Sequence, residues 1–258
     1  MKILALGDVF GEAAADYLVG NLRRIQQENR IDFTVANAEN GSGSSGVEPK
    51  IAEKLLSAGC DVLTGGNHSM SRSSFFPYLE AHSDCVLRPA NYPPDAPGAG
   101  YTVIRCAALR VLVVSLRGNC GFDLALDDPF RTLERILERE AGNYDLSVVD
   151  FHAEYTSEKL AFFYAFDGRV SVLYGTHTHV PTADLRIGKG GCGYLTDLGM
   201  CGPKNSVLGV SPEIIIGRLR DKLPVRFSTA NGPIEAMGAI FETDDETGKC
   251  KQARRIVF

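Results

Sequence analysis

The chain has 258 residues, 27 Lys+Arg against 32 Asp+Glu for a formal net charge of −5, with 44% hydrophobic and 23% charged residues. This balance matches a globular chain long enough to bury a large core, and it lacks the basic excess that nonspecific nucleic-acid binding requires. The longest apolar runs, such as Val111 to Val114, fall far short of the roughly 20 residues of a membrane span. Lys2 to Leu6 reads as a strand, with no signal-peptide pattern before it. Glu12 to Asn29 places Tyr17, Leu18, Leu22 and Ile25 on one helical face. Ile31 to Ala36 is a second strand, and Glu48-Pro49 opens a helix striped by Ile51, Leu55 and Leu56. Asp61 to Thr64 is a third strand. Asp127-Asp128-Pro129 starts a helix carrying Phe130, Leu133, Ile136 and Leu137. Leu146 to Val149 and Val170 to Tyr174 are further strands, and Ser211-Pro212-Glu213 starts a helix with Ile214, Ile215 and Leu219. Val225 to Thr229, Ile234 to Thr243 and Cys250 to Phe258 read as closing strands joined by Gly-bearing turns.

No repeat or linker divides this pattern, so one α/β domain over residues 1–258 is expected, its sheet extended by antiparallel strands. The seven cysteines form no C-x-x-C pair and are odd in number. They read as mostly buried free thiols, which suits a reducing cytoplasm.

The chemistry lies at the ends of the apolar runs. They close on Gly7-Asp8, Asn37-Ala38-Glu39-Asn40, Gly65-Gly66-Asn67-His68, Asp150-Phe151-His152 and Gly175-Thr176-His177-Thr178-His179. In open α/β sheets, ligands bind beyond the carboxyl ends of strands. Four of the five histidines fall there; His82 follows no such run and reads as a surface or helix-end residue. Each element alone has an ordinary explanation: Asp8 as a turn former, His177 and His179 as a polar strand end. Together they assemble carboxylate, amide and imidazole donors without thiolate, a set that suits Mn, Fe or Zn. Eight candidates are too many for one ion and about right for two sharing a carboxylate. If the strand continues, His177 and His179 face the same way and converge. The Gly41 to Gly46 stretch is open to three readings: a backbone phosphate cradle, a gating loop, or a plain connection. Arg88, Arg117 and Arg186 are candidate phosphate contacts, weighed against ordinary surface positions. Phe75, Phe76 and Tyr78 read as core in preference to an interface.

These motifs, in this order, resemble the calcineurin-like metallophosphoesterase superfamily. The whole chain resembles its YmdB-type bacterial phosphodiesterase branch, through Arg88-Pro89-Ala90-Asn91, Asp150-Phe151-His152-Ala153-Glu154, Thr196-Asp197-Leu198-Gly199-Met200 and Leu223-Pro224-Val225-Arg226-Phe227 as well. The resemblance implies a four-layer α/β fold, two mixed sheets packed face to face and flanked by helices. It implies Asp8, Asn40 and His179 on one metal, Asn67, His152 and His177 on the other, Glu39 as the bridge, and His68 as proton donor. The sequence departs from the superfamily pattern at Phe10, where a His is usual, at Glu39, where an Asp is usual, and at Ser69, where many members carry an acid that orients the preceding His. The first two departures are features of the branch.

The expected activity is therefore a dinuclear metal-dependent phosphodiesterase acting on small phosphodiesters. The resemblance adds cyclic nucleotides, 2′,3′ or 3′,5′, as substrate. The mechanism expected is in-line attack by a metal-bridged hydroxide, with His68 protonating the leaving oxygen. A phosphomonoesterase or nucleotidase on the same site is one alternative, and a metal-bound regulatory protein with little turnover is another. No membrane or strong nucleic-acid partner is expected, and the oligomeric state, homo-oligomer included, is open.

Overall fold

A computed structural model describes all 258 residues. In chain order, β1 (Lys2–Leu6) and β2 (Asp8–Val9) precede α1 (Glu12–Asn29), β3 (Phe33–Asn37), α2 (Pro49–Ala58), β4 (Val62–Thr64) and α3 (Phe76–Ala81). Next come β5 (Tyr101–Cys106), β6 (Leu109–Arg117), α4 (Pro129–Arg139), β7 (Leu146–His152), α5 (Thr156–Phe166) and β8 (Val172–Thr176). The last third holds β9 (Arg186–Ile187), β10 (Gly193–Leu195), β11 (Met200–Pro203), α6 (Pro212–Asp221), β12 (Ile234–Thr243) and β13 (Cys250–Val257).

Two sheets result. The first runs β2-β11-β12-β1-β3-β4, with β13 also on β12; the second runs β5-β6-β7-β8-β10-β9. Both are mixed. β1, β3 and β4 are parallel, as are β6, β7 and β8, whereas β12, β13, β5 and β9 pair antiparallel.

Alternation along the central strands sets the layers. Ile3, Ala5, Phe33, Val35 and Val62 face across to Val111, Val113, Val148, Val172 and Tyr174, forming the core between the sheets. The intervening residues face outward. Leu4, Leu6, Ala36 and Leu63 lie under Leu18 and Leu22 of α1 and Ile51 and Leu55 of α2. Leu112, Val114, Val149, Phe151 and Leu173 lie under Leu133 of α4 and Phe162 and Phe166 of α5. Both faces of each central strand are therefore dry, which is why these strands read as continuous apolar runs. The result is the expected four layers, helices, sheet, sheet, helices. Phe75 and Tyr78 belong to the core under α1 and α2, and His82 caps the end of α3, stacked on Tyr78.

The helix starts follow their local chemistry. Asp128 accepts hydrogen bonds from the N–H groups of Phe130 and Arg131 at the start of α4. Pro49 opens α2, and Gly59 ends it in the left-handed conformation.

One expected strand is absent. Val225 to Thr229 forms no strand, except for a bridge between Val210 and Thr229. Its Phe227 instead packs with the Phe10, Met200 and Val210 cluster and lies under the Arg218 guanidinium. All seven cysteines are free, four of them buried. No helix is long and apolar enough to cross a membrane.

Candidate metal centre

The same alternation that builds the core delivers the site. Phe33 and Val35 point between the sheets, so Asn37 does too; likewise Val62 puts Thr64 there, Val148 puts Asp150 and His152 there, and Val172 and Tyr174 put Thr176 there. At the carboxyl ends of four parallel strands the apolar core thus gives way to a buried polar network. Asp150 accepts hydrogen bonds from Asn37 Nδ2 at 3.0 Å, from Thr176 Oγ1 at 2.7 Å and from Thr64 Oγ1. Because the Thr176 hydroxyl donates to Asp150, it accepts from His152 Nδ1, 2.9 Å away. That leaves His152 Nε2 as the lone-pair nitrogen, held by partners behind the site.

His152 Nε2 faces a crowd of acceptors. Asn67 Oδ1 lies 2.9 Å from it, His177 Nδ1 3.0 Å and Glu39 Oε1 3.2 Å. One proton cannot satisfy so many lone pairs, and a cation between them can. Ligand atoms of Glu39, His152 and His177 all lie within 4.8 Å of one another. The far nitrogen of His177 meets Glu154 Oε2 at 2.9 Å, a carboxylate placed as such partners sit behind metal-binding histidines.

A second group adjoins the first. Asp8 is fully buried at the start of β2. Its Oδ2 accepts from the His177 N–H at 3.0 Å, but its Oδ1 has no hydrogen-bond partner. An orphaned buried carboxylate oxygen is costly unless a cation meets it. His179 Nε2 lies 3.8 Å from that oxygen and 3.2 Å from Asn40 Oδ1, while His179 Nδ1 faces the Leu208 carbonyl at 3.2 Å. A proton on Nδ1 thus leaves Nε2 free to bind. Phe10 does not ligate. It is buried edge-on to the His179 ring, centroids 5.7 Å apart, and packs with Met200 and Val210.

Electrostatics follow burial and neighbours. Burial raises the Asp8 carboxyl to about 6, against the pull of His179 and His152. Burial also pushes Glu39 upward, but before any cation binds a protonated His152, through its charge and hydrogen bond, outweighs it together with His68 and holds Glu39 at about 2. Burial, with His152 alongside, depresses His177 to about 3, so its imidazole is neutral.

The backbone makes room for this crowding. A Cβ on Gly66 would lie 2.3 Å from Glu39 Oε2 and 2.4 Å from His152 Nε2. The orphaned Asp8 oxygen and the converging Glu39, His152 and His177 donors together fit a bound metal cation.

Sequence reasoning misjudged how the last two histidines converge. β8 stops at Thr176, and His177 and His179 both have positive φ, 100° and 62°. They reach the two donor groups through a left-handed turn rather than strand alternation, a strained backbone of the kind found at functional sites. The turn is pinned by a buried ion pair. Lys159 Nζ on α5 lies 2.7 Å from Asp197 Oδ2 and donates to the Thr176 carbonyl, and Asp197 also accepts from the Thr178 N–H and hydroxyl. Asn37, Thr64, Asp150, Thr176, Lys159 and Asp197 had no assigned role from sequence. Asn37, Asp150, Thr176 and Asp197 stood inside the motifs given above, while Lys159 carried no signal.

The His68 N–H donates to Glu39 Oε2 at 3.0 Å, and its Nδ1 lies 3.4 Å from Ser71 Oγ. Ser69 instead accepts from the Gly66 N–H, so Ser71 takes the place beside the ring. The three proposed phosphate-binding arginines are not at this site. Arg117 is buried and holds the 118–124 loop through the carbonyls of Gly118 and Leu124. Arg186 pairs with Asp184, and Arg88 donates to main-chain carbonyls. The Gly41 to Gly46 loop is tied down: Ser42 N–H donates to the Gly46 carbonyl, and Arg72 bonds Ser45 O and Glu48.

The family model for YmdB-like proteins matches residues 4–256. The chain belongs to the YmdB-like family. The fold itself is shared more widely, for a Staphylococcus aureus structure described as a putative 5′-nucleotidase superposes with a TM-score of 0.60 at 17% identity, covering 99% of this chain and 54% of that one. This YmdB-like chain is 38% identical over 258 residues to the 2′,3′-cyclic-nucleotide 2′-phosphodiesterase of Bacillus subtilis, covering 100% of this chain and 97% of that protein. The crystal structure of a hypothetical protein from Thermus thermophilus superposes with a TM-score of 0.93 at 35% identity, covering 100% of this chain and 99% of that one. A Mycoplasma pneumoniae structure described as a novel phosphatase also gives 0.93, at 34% identity, covering 100% and 93%.

Proposed function

We propose that this YmdB-like chain is a dinuclear metal-dependent phosphodiesterase of small phosphodiesters, with 2′,3′-cyclic nucleotides as its substrate class. The observation that carries the reading is the convergence of Glu39, Asn67, His152 and His177 beside the unpartnered Asp8 oxygen. The Bacillus subtilis relative supports the substrate class. In the proposed arrangement Asp8, Asn40 and His179 would hold one ion, Asn67, His152 and His177 would hold the other, and Glu39 would serve both. When bound, such a pair supplies Lewis acidity and an acidified water as nucleophile; iron, manganese and zinc all suit these donors.

The chain's own residues do the rest. Asp150 and Thr176 hold His152 in its ligating tautomer, and Glu154 orients His177. His68 lies on the open side, half-buried, with Ser71 at Nδ1 and Nε2 available to carry a proton. Opening the cyclic diester breaks the P–O2′ bond, and His68 gives its proton to the departing O2′, because an alkoxide is a poor leaving group.

The test is metal content together with hydrolysis of bis-p-nitrophenyl phosphate and 2′,3′-cyclic AMP by manganese-refilled protein. Two ions per chain and metal-dependent diester turnover are expected. His68→Ala should lower kcat by about 10²- to 10⁴-fold with both ions retained. Faster turnover of monoesters than diesters, or nucleotide binding without turnover, would overturn the reading.

A further inference from the structure

A second cleft, of about 530 Å³, opens between the 88–100 segment, β5 and α4, and none of the eight metal-centre candidates lines it. Its size falls in the range of small-molecule sites. Three arginines, Arg88, Arg135 and Arg139, line it against one carboxylate, Asp127. This is a local cationic excess on a chain with a net charge of −5.

Arg88 is the unusual member. It is buried, its hydrogen bonds all go to the carbonyls of Pro89, Pro93 and Ala96, and its Nε has no partner. The structure therefore keeps a guanidinium out of water with no carboxylate in direct contact, Glu80 acting on it only from a distance, an arrangement that an anion in the cleft would relieve. Arg135 and Arg139 are exposed and one turn apart on α4. Arg135 is only loosely paired, 3.8 Å from Asp127 Oδ2. The remaining walls are apolar and aromatic, with Tyr92 and Tyr101 among them. Guanidinium groups beside aromatic rings suit a ligand that carries both a phosphate and a planar base.

We infer that this cleft binds a nucleoside monophosphate, with the phosphate toward the arginines and the base against the tyrosines. The inference stands apart from the phosphodiesterase reading, because turnover does not enter its test. Adenosine 5′-monophosphate would be titrated calorimetrically into the metal-loaded protein and into its Arg135→Ala and Arg139→Ala variants. The 8-azido derivative would be photocrosslinked and the labelled peptide mapped. The expected result is label between residues 88 and 105, and binding at that site weakened about 10-fold by each substitution. Label confined to the metal-centre segments would overturn the proposal, as would affinities within about 2-fold of the parent in both variants. Inorganic phosphate binding as tightly as the nucleotide would overturn the nucleoside part.

Discussion

Gly66→Ala tests the metal centre through a single methyl group. The added Cβ would stand 2.3 Å from Glu39 Oε2 and 2.4 Å from His152 Nε2, whereas ordinary contacts begin at 3.4 Å, so each donor must retreat by about 1 Å. Metal–ligand distances tolerate about 0.2 Å, and a 1 Å misplacement of reacting groups costs about 10²-fold. Gly66 is not among the glycines with positive φ, so alanine is acceptable to the backbone and the damage should stay local. The variant should fold with a circular dichroism spectrum like the parent's, hold fewer than two ions by elemental analysis, and lose at least about 100-fold in kcat/KM on bis-p-nitrophenyl phosphate. Two ions and turnover within about 3-fold of the parent would refute the reasoning, because the donors would then not stand where the proposed ions require them.

Lys159→Met leaves Asp197 buried without its cation and should cost about 3–5 kcal/mol in denaturant unfolding; a loss under about 1 kcal/mol would mean the remaining hydrogen bonds to Asp197 suffice. Thr176→Val preserves shape but removes the hydroxyl linking Asp150 to His152, and should weaken metal binding about 10- to 100-fold in a chelator competition with little change in fold. Asp8→Asn should abolish metal-dependent turnover, yet stabilise the chelated protein at pH 7. The Asp8 carboxyl is raised from 3.8 to about 6 on folding, so its ionisation carries no penalty below pH 4, a growing one through pH 6 and a full one above. The gain should be about 2–3 kcal/mol at pH 7 and vanish near pH 4, which urea unfolding at the two pH values would show.

Much of this architecture was legible because its elements are periodic or bounded by strong signals. α1, α2, α4 and α6 carry clear stripes, and the last three start at Pro residues. The central strands announced themselves as apolar runs, and the polar residue closing each run pointed to the site. What escaped has physical causes. α5 buries Phe162, Phe163 and Phe166 with Lys159, so no polar face reveals its helical period. β6 drew notice only as a short apolar run, and β2, β9, β10 and β11 have two to four residues each. Val225 to Thr229 has strand-like composition, but pairing depends on a neighbour that composition does not contain. The supporting layer of the centre was hidden for the same reason: Lys159 meets Asp197 across 38 positions of sequence, a proximity only the fold creates.

The proposed donors come from both sheets. Asp8, Glu39, Asn40 and Asn67 follow strands of the first, while His152, His177 and His179 lie on or follow strands of the second. Any ion they share is therefore a rivet through the sandwich, and pulling the sheets apart means releasing it. At free metal 1,000 times Kd that adds about 4 kcal/mol per site to the native state, comparable to a large fraction of an ordinary domain's whole stability. On the proposed reading, the lifetime of the chain would follow metal supply. Starved of metal it would first become easier to unfold and digest, so scarcity would be felt as fewer molecules as well as slower ones.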